Sequence, residues 1–245
     1  MTATRAVTFD FWNTLMWEEP GSLKAQRLAV WGEALGERVD APQLERAHDA
    51  AHLSYVEAWT AGRQFRVEEA VEVMLAQLGG ERAADWRDVL VAGFDEGGRR
   101  AAIHPSDGVG ACLRALVAAG VRLGIVCDIG LTPSPVVREL LARHDLLGCF
   151  DGWSFSDEVG HYKPARAIFE HALARLGGVE PRHAAHVGDR LRTDVGGALA
   201  IGMTAVRYNA VYEDAAIGTA EADFVTADLA ELPALLGVPE PSLDP

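Results

Sequence analysis

The stretch that decides the fold is "AVTFD" at residues 6–10, an apolar run that ends in one carboxylate. It continues as "FWNTL" at residues 11–15, which adds two aromatic side chains, an amide and a hydroxyl. A short apolar run of this kind is typical of a strand that is buried on both faces. Asp10 then lies at the carboxyl end of that strand, where catalytic groups of open α/β sheets gather.

Further runs of strand character follow downstream, and helical patterns separate them. The predicted strands are 121–128, 152–156, 184–189, 204–209 and 222–226, and the predicted helices are 108–120, 134–144, 165–177 and 192–202. Strands that alternate with helices of this length predict a parallel sheet covered on both faces. The expected fold class is therefore α/β, with a Rossmann-like doubly wound parallel sheet.

Residues 16–102 interrupt this alternation, because no strand is predicted there. Four amphipathic helical patterns follow one another instead, at 23–37, 42–62, 67–80 and 82–100. A helical insert after the first strand predicts two domains. These are an α/β core of residues 1–15 and 103–245 and a helical domain of residues 16–102.

The composition excludes several classes of function. With 245 residues, 49% of them apolar, the chain can bury a large core. Its net charge of −14 would repel nucleic acid. The three scattered cysteines fit a reducing compartment better than a disulfide framework or a zinc site. Because membrane-spanning runs and a signal-peptide pattern are also missing from the sequence, we expect a cytoplasmic protein without nucleic-acid or membrane partners.

Polar side chains follow four of the predicted strands, where they would converge on one edge of a parallel sheet. The segment after the fourth strand reads "GDRLRTD" at residues 188–194. The lysine of the third group is one of only two among 22 basic residues, so its position is informative. The side chains concerned are Asp10, Cys127, Asp128, Lys163, Asp189 and Asp194.

These motifs, in this order and with the helical insert, resemble the haloacid dehalogenase (HAD) superfamily over nearly the whole chain. The resemblance is to subfamily I, whose helical (C1-type) cap follows the first motif. It implies that Asp10 is a nucleophile, paired with Lys163, which forms an aspartyl-phosphate or, in dehalogenases, an ester with carbon. It also implies Mg²⁺ held by Asp10, Asp189 and the main-chain carbonyl of Trp12, with Asp194 supporting the ion directly or through water.

The resemblance further implies that Asn13, Thr14, Cys127 and Asp128 bind the substrate or its phosphate. Two of them depart from the family pattern. Cys127 replaces the usual serine or threonine, and a thiol is a weaker hydrogen-bond donor. Asp128 replaces a frequent asparagine and adds negative charge close to an anionic substrate, which indicates a modified phosphate pocket.

Trp12 is the most informative departure from the family pattern. Phosphatases of the superfamily usually carry a second aspartate here as general acid and base, and an indole N–H cannot replace it. Dehalogenases carry an aromatic residue, so displacement of halide is the main rival hypothesis. The retained Asp189 and Asp194 favour the metal-dependent reaction, because such close carboxylates with one lysine would repel each other without a divalent cation.

The sequence therefore predicts a Mg²⁺-dependent hydrolase, a phosphatase that acts on a small phosphorylated metabolite through Asp10. One alternative is displacement at carbon through an aspartyl ester, as in haloacid dehalogenases. A second alternative is a HAD-like protein without catalysis, whose pocket is blocked by Trp12. The expected partner is a small-molecule substrate, and the expected oligomeric state is a monomer or a homodimer.

Overall fold

The structure is a computed structural model that describes residues 3–79, 85–215 and 220–238. The chain forms two compact units. The first comprises Met1–Trp17, His104–Asp128 and Leu141–Pro245, and the second comprises Glu18–Ile103 and Ile129–Leu140. The segment Ile129–Leu140 thus groups with the helical unit, whereas the sequence-based division assigned it to the core. It does so because Arg27 binds it: Nη2 donates to the main-chain oxygen of Leu131 at 2.6 Å and to Oγ1 of Thr132 at 2.8 Å.

The first unit is built on a six-stranded sheet. The strands of the described residues are β1 (Ala6–Phe9), β2 (Met16–Glu18), β3 (Ile103–Pro105), β4 (Arg122–Cys127), β5 (Gly152–Phe155), β6 (Ala184–Gly188), β7 (Thr204–Tyr208) and β8 (Phe224–Thr226). The sheet order is β5-β4-β1-β6-β7-β8, and every neighbouring pair is parallel. The predicted α/β Rossmann-like fold is confirmed. The strand order reverses beside β1, which is where open α/β sheets bind their ligands.

Ten α-helices lie within the described residues. They are α1 (Ser22–Leu35), α2 (Ala41–Thr60), α3 (Val67–Leu78), α4 (Arg87–Arg100), α5 (Val109–Ala118), α6 (Ser134–Arg143), α7 (Ser156–Val159), α8 (Arg166–Arg175), α9 (Gly196–Ile201) and α10 (Leu232–Leu235). Among the described residues, no helix combines the length and the apolar character needed to cross a membrane.

The helical unit is held together by a core of its own. Helix α1 packs against α4, and α2 packs against α3. The first pair approaches closely at Gly93 and Gly97, where an added Cβ would overlap Trp31 and Arg27. Trp31 is fully buried, and its indole N–H donates to the main-chain oxygen of Leu90 at 3.0 Å. Burial of large apolar side chains of this kind is the main source of stability for such a unit.

Two local features differ from the sequence-based prediction, and a third lies partly outside the described residues. Residues Met16–Glu18 form a short strand that pairs with Ile103–Pro105, although no strand was predicted within 16–102. Three residues are too few to display a strand period, and their partner lies far along the chain. The helix predicted at 192–202 begins as a π-helical turn, Leu191–Val195, before α9. The helix predicted at 82–100 begins outside the described residues, at 82–84.

Candidate active site

The turn after β1 holds Asp10 at the carboxyl edge of the sheet. Asp10 is 6% exposed, and its main-chain N–H donates to the oxygen of Val187 in β6 at 2.8 Å. The turn closes through Met16, whose N–H donates to the oxygen of Phe11 at 2.9 Å and whose oxygen accepts from Asn13 at 2.7 Å. Asn13 has φ of +56°, a left-handed conformation that asparagine tolerates better than most residues. The backbone therefore fixes the position of the Asp10 carboxylate.

Lys163 lies between two carboxylates. Its Nζ donates to Oδ1 of Asp10 and to Oδ1 of Asp194, both at 2.6 Å, and its side chain is 2% exposed. Burial by itself would lower the pKa of Lys163, but the charges of the neighbouring aspartates outweigh it and hold that pKa well above its usual range. The main-chain N–H of Lys163 donates to Oδ1 of Asp128 at 2.8 Å. Lys163 is thus a fixed ammonium with acids on either side.

Both carboxylate oxygens of Asp194 accept hydrogen bonds from the protein. Oδ1 accepts from Lys163 and is 3.0 Å from Nε2 of His186. Oδ2 accepts from the main-chain N–H of Arg190 at 3.1 Å and from the hydroxyl of Thr193 at 3.5 Å. Burial acts to raise the pKa of Asp194, but Lys163 and His186 outweigh it and hold the pKa below its usual range. This arrangement favours the indirect of the two predicted roles, in which Asp194 supports the site without binding the ion itself.

Asp189 differs from Asp194 because few protein donors reach it. It is 2% exposed, and among the described residues its carboxylate accepts one long hydrogen bond, from Nδ2 of Asn13 at 3.4 Å. Burial, together with the charges of Asp10 and Asp194, raises the pKa of Asp189 to about 8. Burial also raises the pKa of Asp10, to about 6, although Lys163 offsets part of this effect. The two acids are short of positive charge.

The arrangement of acids fits a hard divalent cation. One oxygen from each of Asp10, Asp189 and Asp194 can be chosen so that these atoms lie within 4.8 Å of one another. Carboxylate and main-chain oxygens are the donors that Mg²⁺ prefers. Among the described residues, no main-chain N–H in the turn after β1 donates to the carbonyl of Trp12, so this oxygen is available as a ligand. The residues of this site are therefore compatible with Mg²⁺.

The four residues predicted to bind substrate have different surroundings. Cys127 is fully buried at the end of β4, where burial raises the pKa of its thiol well above the usual range. Asp128 binds the main chain of Lys163, and Asn13 contacts Asp189. Thr14 is fully buried, and its hydroxyl has no hydrogen-bond partner among the described residues. Their contacts with substrate stay predictions.

Trp12 lies half-buried in the turn beside the nucleophile candidate. Its ring stacks edge-on against Phe11, with ring centroids 4.8 Å apart and an interplanar angle of 86°. The residue thus provides an apolar surface two positions after Asp10. An indole can donate a hydrogen bond, but it cannot exchange a proton with a reacting group at neutral pH.

Three residues of the site's surroundings were missed from the sequence. Thr8 and His186 face each other in the register of β1 and β6, with Oγ1 and Nδ1 2.8 Å apart. The available signal was a single polar residue inside each of two otherwise apolar strands. Arg190 follows Asp189 directly, and its guanidinium lies 4.8 Å from the ring centroid of Tyr212. Its charge acts to lower the pKa of Asp189, but burial and the neighbouring aspartates outweigh this effect.

The comparison with known proteins identifies the family. A family model for haloacid dehalogenase-like hydrolases matches residues 4–202. Since this match covers most of the chain, the chain belongs to the haloacid dehalogenase-like hydrolase family and is a hydrolase. The predictions of HAD membership and of a hydrolase of that superfamily are confirmed.

Similar proteins carry out two different reactions. The glyceraldehyde 3-phosphate phosphatase of Methanothermobacter thermautotrophicus is 35% identical over 115 residues, a match that covers 47% of this chain and 49% of that protein. The (S)-2-haloacid dehalogenase 1 of Pseudomonas sp. (strain CBS-3) is 27% identical over 238 residues, or 96% of this chain and 98% of that protein. The chain thus spans about half the length of the phosphatase and nearly all of the dehalogenase.

A solved structure shares the fold over almost the full length. The HAD phosphatase from Thermococcus onnurineus superimposes with a TM-score of 0.68 at 26% identity, covering 97% of this chain and 100% of that chain. Two of these three relatives are thus phosphatases and one is a haloacid dehalogenase.

Proposed function

We propose that the protein is a Mg²⁺-dependent phosphatase that acts on a small phosphorylated metabolite through an aspartyl-phosphate on Asp10. The observation that supports this most is the state of Asp189. It is buried close to Asp10, accepts one long hydrogen bond and makes no ion pair within 4 Å among the described residues. Two such carboxylates need a shared cation, and a metal-free displacement at carbon would not explain the second one.

In the first step of the proposed reaction, an oxygen of Asp10 attacks phosphorus. Lys163 binds Oδ1, which leaves Oδ2 as the attacking atom. The bond from phosphorus to the leaving oxygen breaks, and that oxygen departs with the electron pair. Lys163 keeps the Asp10 carboxylate ionised and oriented, and its charge offsets part of the repulsion from the phosphate. When bound by Asp10, Asp189 and the Trp12 carbonyl, Mg²⁺ would supply further positive charge to the phosphoryl oxygens.

In the second step, water attacks phosphorus of the aspartyl-phosphate and the bond from phosphorus to the Asp10 oxygen breaks. Asp10 leaves as a carboxylate, and the protons of the water stay on the inorganic phosphate or pass to solvent. Trp12 can neither protonate the leaving oxygen nor deprotonate this water. General acid–base help of that kind is typically worth ~10²–10⁴ in rate. We therefore propose substrates whose leaving group is stable as an anion, such as acyl or aryl phosphates.

The wider predictions belong to the same proposal. We propose that the helical segment 16–102 is the C1-type cap of subfamily I, and that it selects the leaving group. A cytoplasmic location, the absence of nucleic-acid partners and a monomeric or homodimeric state also remain proposals. The net charge of −14 supports the absence of nucleic-acid partners, and the cysteine pattern supports the cytoplasmic location.

Displacement at carbon is the second candidate. Two observations favour it: the aromatic Trp12 in place of a general acid, and 27% identity with a haloacid dehalogenase over 96% of the chain. In that reaction, Asp10 would form an ester with carbon while halide leaves with the bonding electrons. Halide needs no proton, so Trp12 would impose no cost.

One set of assays separates these functions. Phosphate release from an aryl phosphate is measured with Mg²⁺ and with a chelator, for the wild type and for Asp10→Asn. The proposal predicts turnover that requires the metal and is lost in the variant. Halide release from 2-haloacids in the presence of chelator would instead establish the second candidate. Neither activity at high enzyme concentration would favour the non-catalytic alternative.

A further inference from the structure

His186 occupies the middle of a buried chain of polar contacts. Its Nδ1 lies 2.8 Å from Oγ1 of Thr8, and its Nε2 lies 3.0 Å from Oδ1 of Asp194. That same Oδ1 accepts a hydrogen bond from Nζ of Lys163 at 2.6 Å, and Nζ also donates to Oδ1 of Asp10. His186 is 1% exposed, so water does not compete for these bonds.

We propose that His186 is a positioning residue, which holds the Asp194 carboxylate in the orientation that receives Lys163. It acts on the nucleophile only through Asp194 and Lys163. The proposal rests on the proposed function for its kinetic consequence, since the nucleophile is Asp10 there. Its structural consequence, a fixed Lys163 ammonium, holds whatever bond the enzyme cleaves.

The packing around His186 supports an orienting role. The ring packs edge-on against Phe169, with ring centroids 5.1 Å apart. A histidine that served only to fill the core would need no more than this contact. Instead, Thr8 sets the rotation of the ring from the facing position on β1, so that Nε2 reaches Asp194. Carboxylates that bind metal ions are oriented by hydrogen bonds of this kind, and we apply the same geometry to a carboxylate that binds the Lys163 ammonium.

The role does not depend on the protonation state of His186. In the neutral form with the proton on Nε2, the Thr8 hydroxyl donates to Nδ1 and Nε2–H donates to Asp194. In the imidazolium form, both ring nitrogens donate, and the Thr8 hydroxyl can turn to the main-chain oxygen of Ala185, 3.3 Å away. In both of these forms, Nε2–H donates to Oδ1 of Asp194.

Two amide variants of His186 test the hydrogen bonds of its two ring nitrogens separately. The amide nitrogen of Gln occupies the place of Nε2, so His186→Gln keeps the donor to Asp194. The amide nitrogen of Asn occupies the place of Nδ1, so His186→Asn keeps the contact with Thr8 and loses that donor. His171→Asn is the matched control, because His171 also bonds a strand hydroxyl, Ser154 at 2.7 Å, without touching these acids.

The first readout is the ammonium of Lys163 in the resting protein. The chain has only two lysines, so a spectrum isotope-labelled at lysine Nζ contains two ammonium resonances. We expect a resonance protected from solvent exchange for Lys163 in the wild type, in His186→Gln and in the control. His186→Asn should shift this resonance or lose its protection. If the resonance is unchanged in His186→Asn, the proposal is wrong, even for a protein without phosphatase activity.

The second readout is kinetic. Loss of an outer-shell partner typically costs about 10–100-fold in activity, so we expect a fall in kcat of that size for His186→Asn, with KM changed by less than about threefold. His186→Gln should recover most of kcat. If His186→Asn does not fold, Thr8→Val is used, because it frees the ring while keeping the histidine, and a smaller fall in kcat is expected. Equal kcat in all variants would overturn the proposal.

Discussion

Asp10 and Trp12 lie two positions apart in the turn after β1. The first carries a carboxylate that can act as a nucleophile, and the second carries an indole that cannot transfer a proton. Asp10 is held by the backbone of the turn and by Lys163, and in the proposed reaction its second oxygen attacks the substrate. Trp12 occupies the place from which a second acid would move protons, and it contributes only an apolar ring and a main-chain carbonyl. At the residue scale, the chemistry therefore favours nucleophilic attack without proton transfer to the leaving group.

Replacing Trp12 tests this interpretation. In Trp12→Asp, a carboxyl group returns to the position of the missing acid. We expect turnover of alkyl phosphates, which need protonation of the leaving oxygen, to rise by about tenfold or more relative to aryl phosphates. The measurement is the ratio of kcat/KM for the two substrates. Trp12→Phe is the control, and the account fails at this point if both variants give the same ratio.

At the scale of elements, the end of β6 and the π-helical turn after it bring Asp194 close to the sheet. Gly188 is the last residue of β6, and an added Cβ there would overlap the side chain of Asp194. The tight turn lets Asp194 point back toward Lys163. The Asp194 carboxylate thus orients the ammonium of Lys163, which lies in the segment after β5. A glycine is needed because of this close approach.

A pair of glycine variants measures the cost of this approach. Gly188→Ala should displace Asp194, lower the melting temperature and reduce activity by about tenfold or more, because core overpacking typically costs ~1–3 kcal/mol. Gly196→Ala lies nearby at the start of α9, where the nearest atom to an added Cβ is the oxygen of Leu191 at 3.4 Å. It should be neutral or slightly stabilising. Thermal unfolding and initial rates check both, and equal behaviour of the two variants would contradict the account.

The elements also mark the limit of what the sequence predicts. The buried strands and the acids at their ends could be predicted, because apolar runs and strand-end carboxylates are local signals. The contact of Thr8 with His186 depends on the register of β1 against β6, and these two strands lie far apart in sequence. The two different roles of Asp189 and Asp194 depend on which oxygens meet protein donors. Only the folded structure supplies that information.

At the scale of the whole molecule, the net charge of −14 has consequences for binding. A negative protein repels a phosphorylated substrate at long range and attracts divalent cations. In the proposed reaction, the positive charge of Lys163 therefore has to offset this repulsion at the site. The helical unit buries a histidine, and placing a positive charge on that buried ring would cost stability. His48 on α2 is 4% exposed, and its Nε2 has no hydrogen-bond partner among the described residues.

Stability should consequently fall in mild acid. Burial lowers the pKa of His48 from 6.5 to about 4, so the unfolded chain binds a proton that the folded chain refuses between these values. Stability attributable to His48 is complete above pH 6.5 and is lost as the pH falls toward about 4. Urea unfolding should show the wild type losing about 2 kcal/mol more than His48→Gln between about pH 7 and about pH 5.

The control for this loss is His183→Gln, which changes a histidine bonded to the main chain at the surface. If His48→Gln follows the same curve as the wild type, the buried histidine is not the acid-sensitive group.

The most direct measurement of the central claim is the covalent state of Asp10 during turnover. The enzyme is mixed with an aryl phosphate and Mg²⁺, quenched in acid within one turnover, digested and analysed by mass spectrometry. The account predicts that the peptide containing Asp10 gains the mass of one phosphoryl group, and that a chelator added beforehand abolishes the gain. An unmodified peptide during active turnover, or a phosphoryl group on another residue, would contradict it.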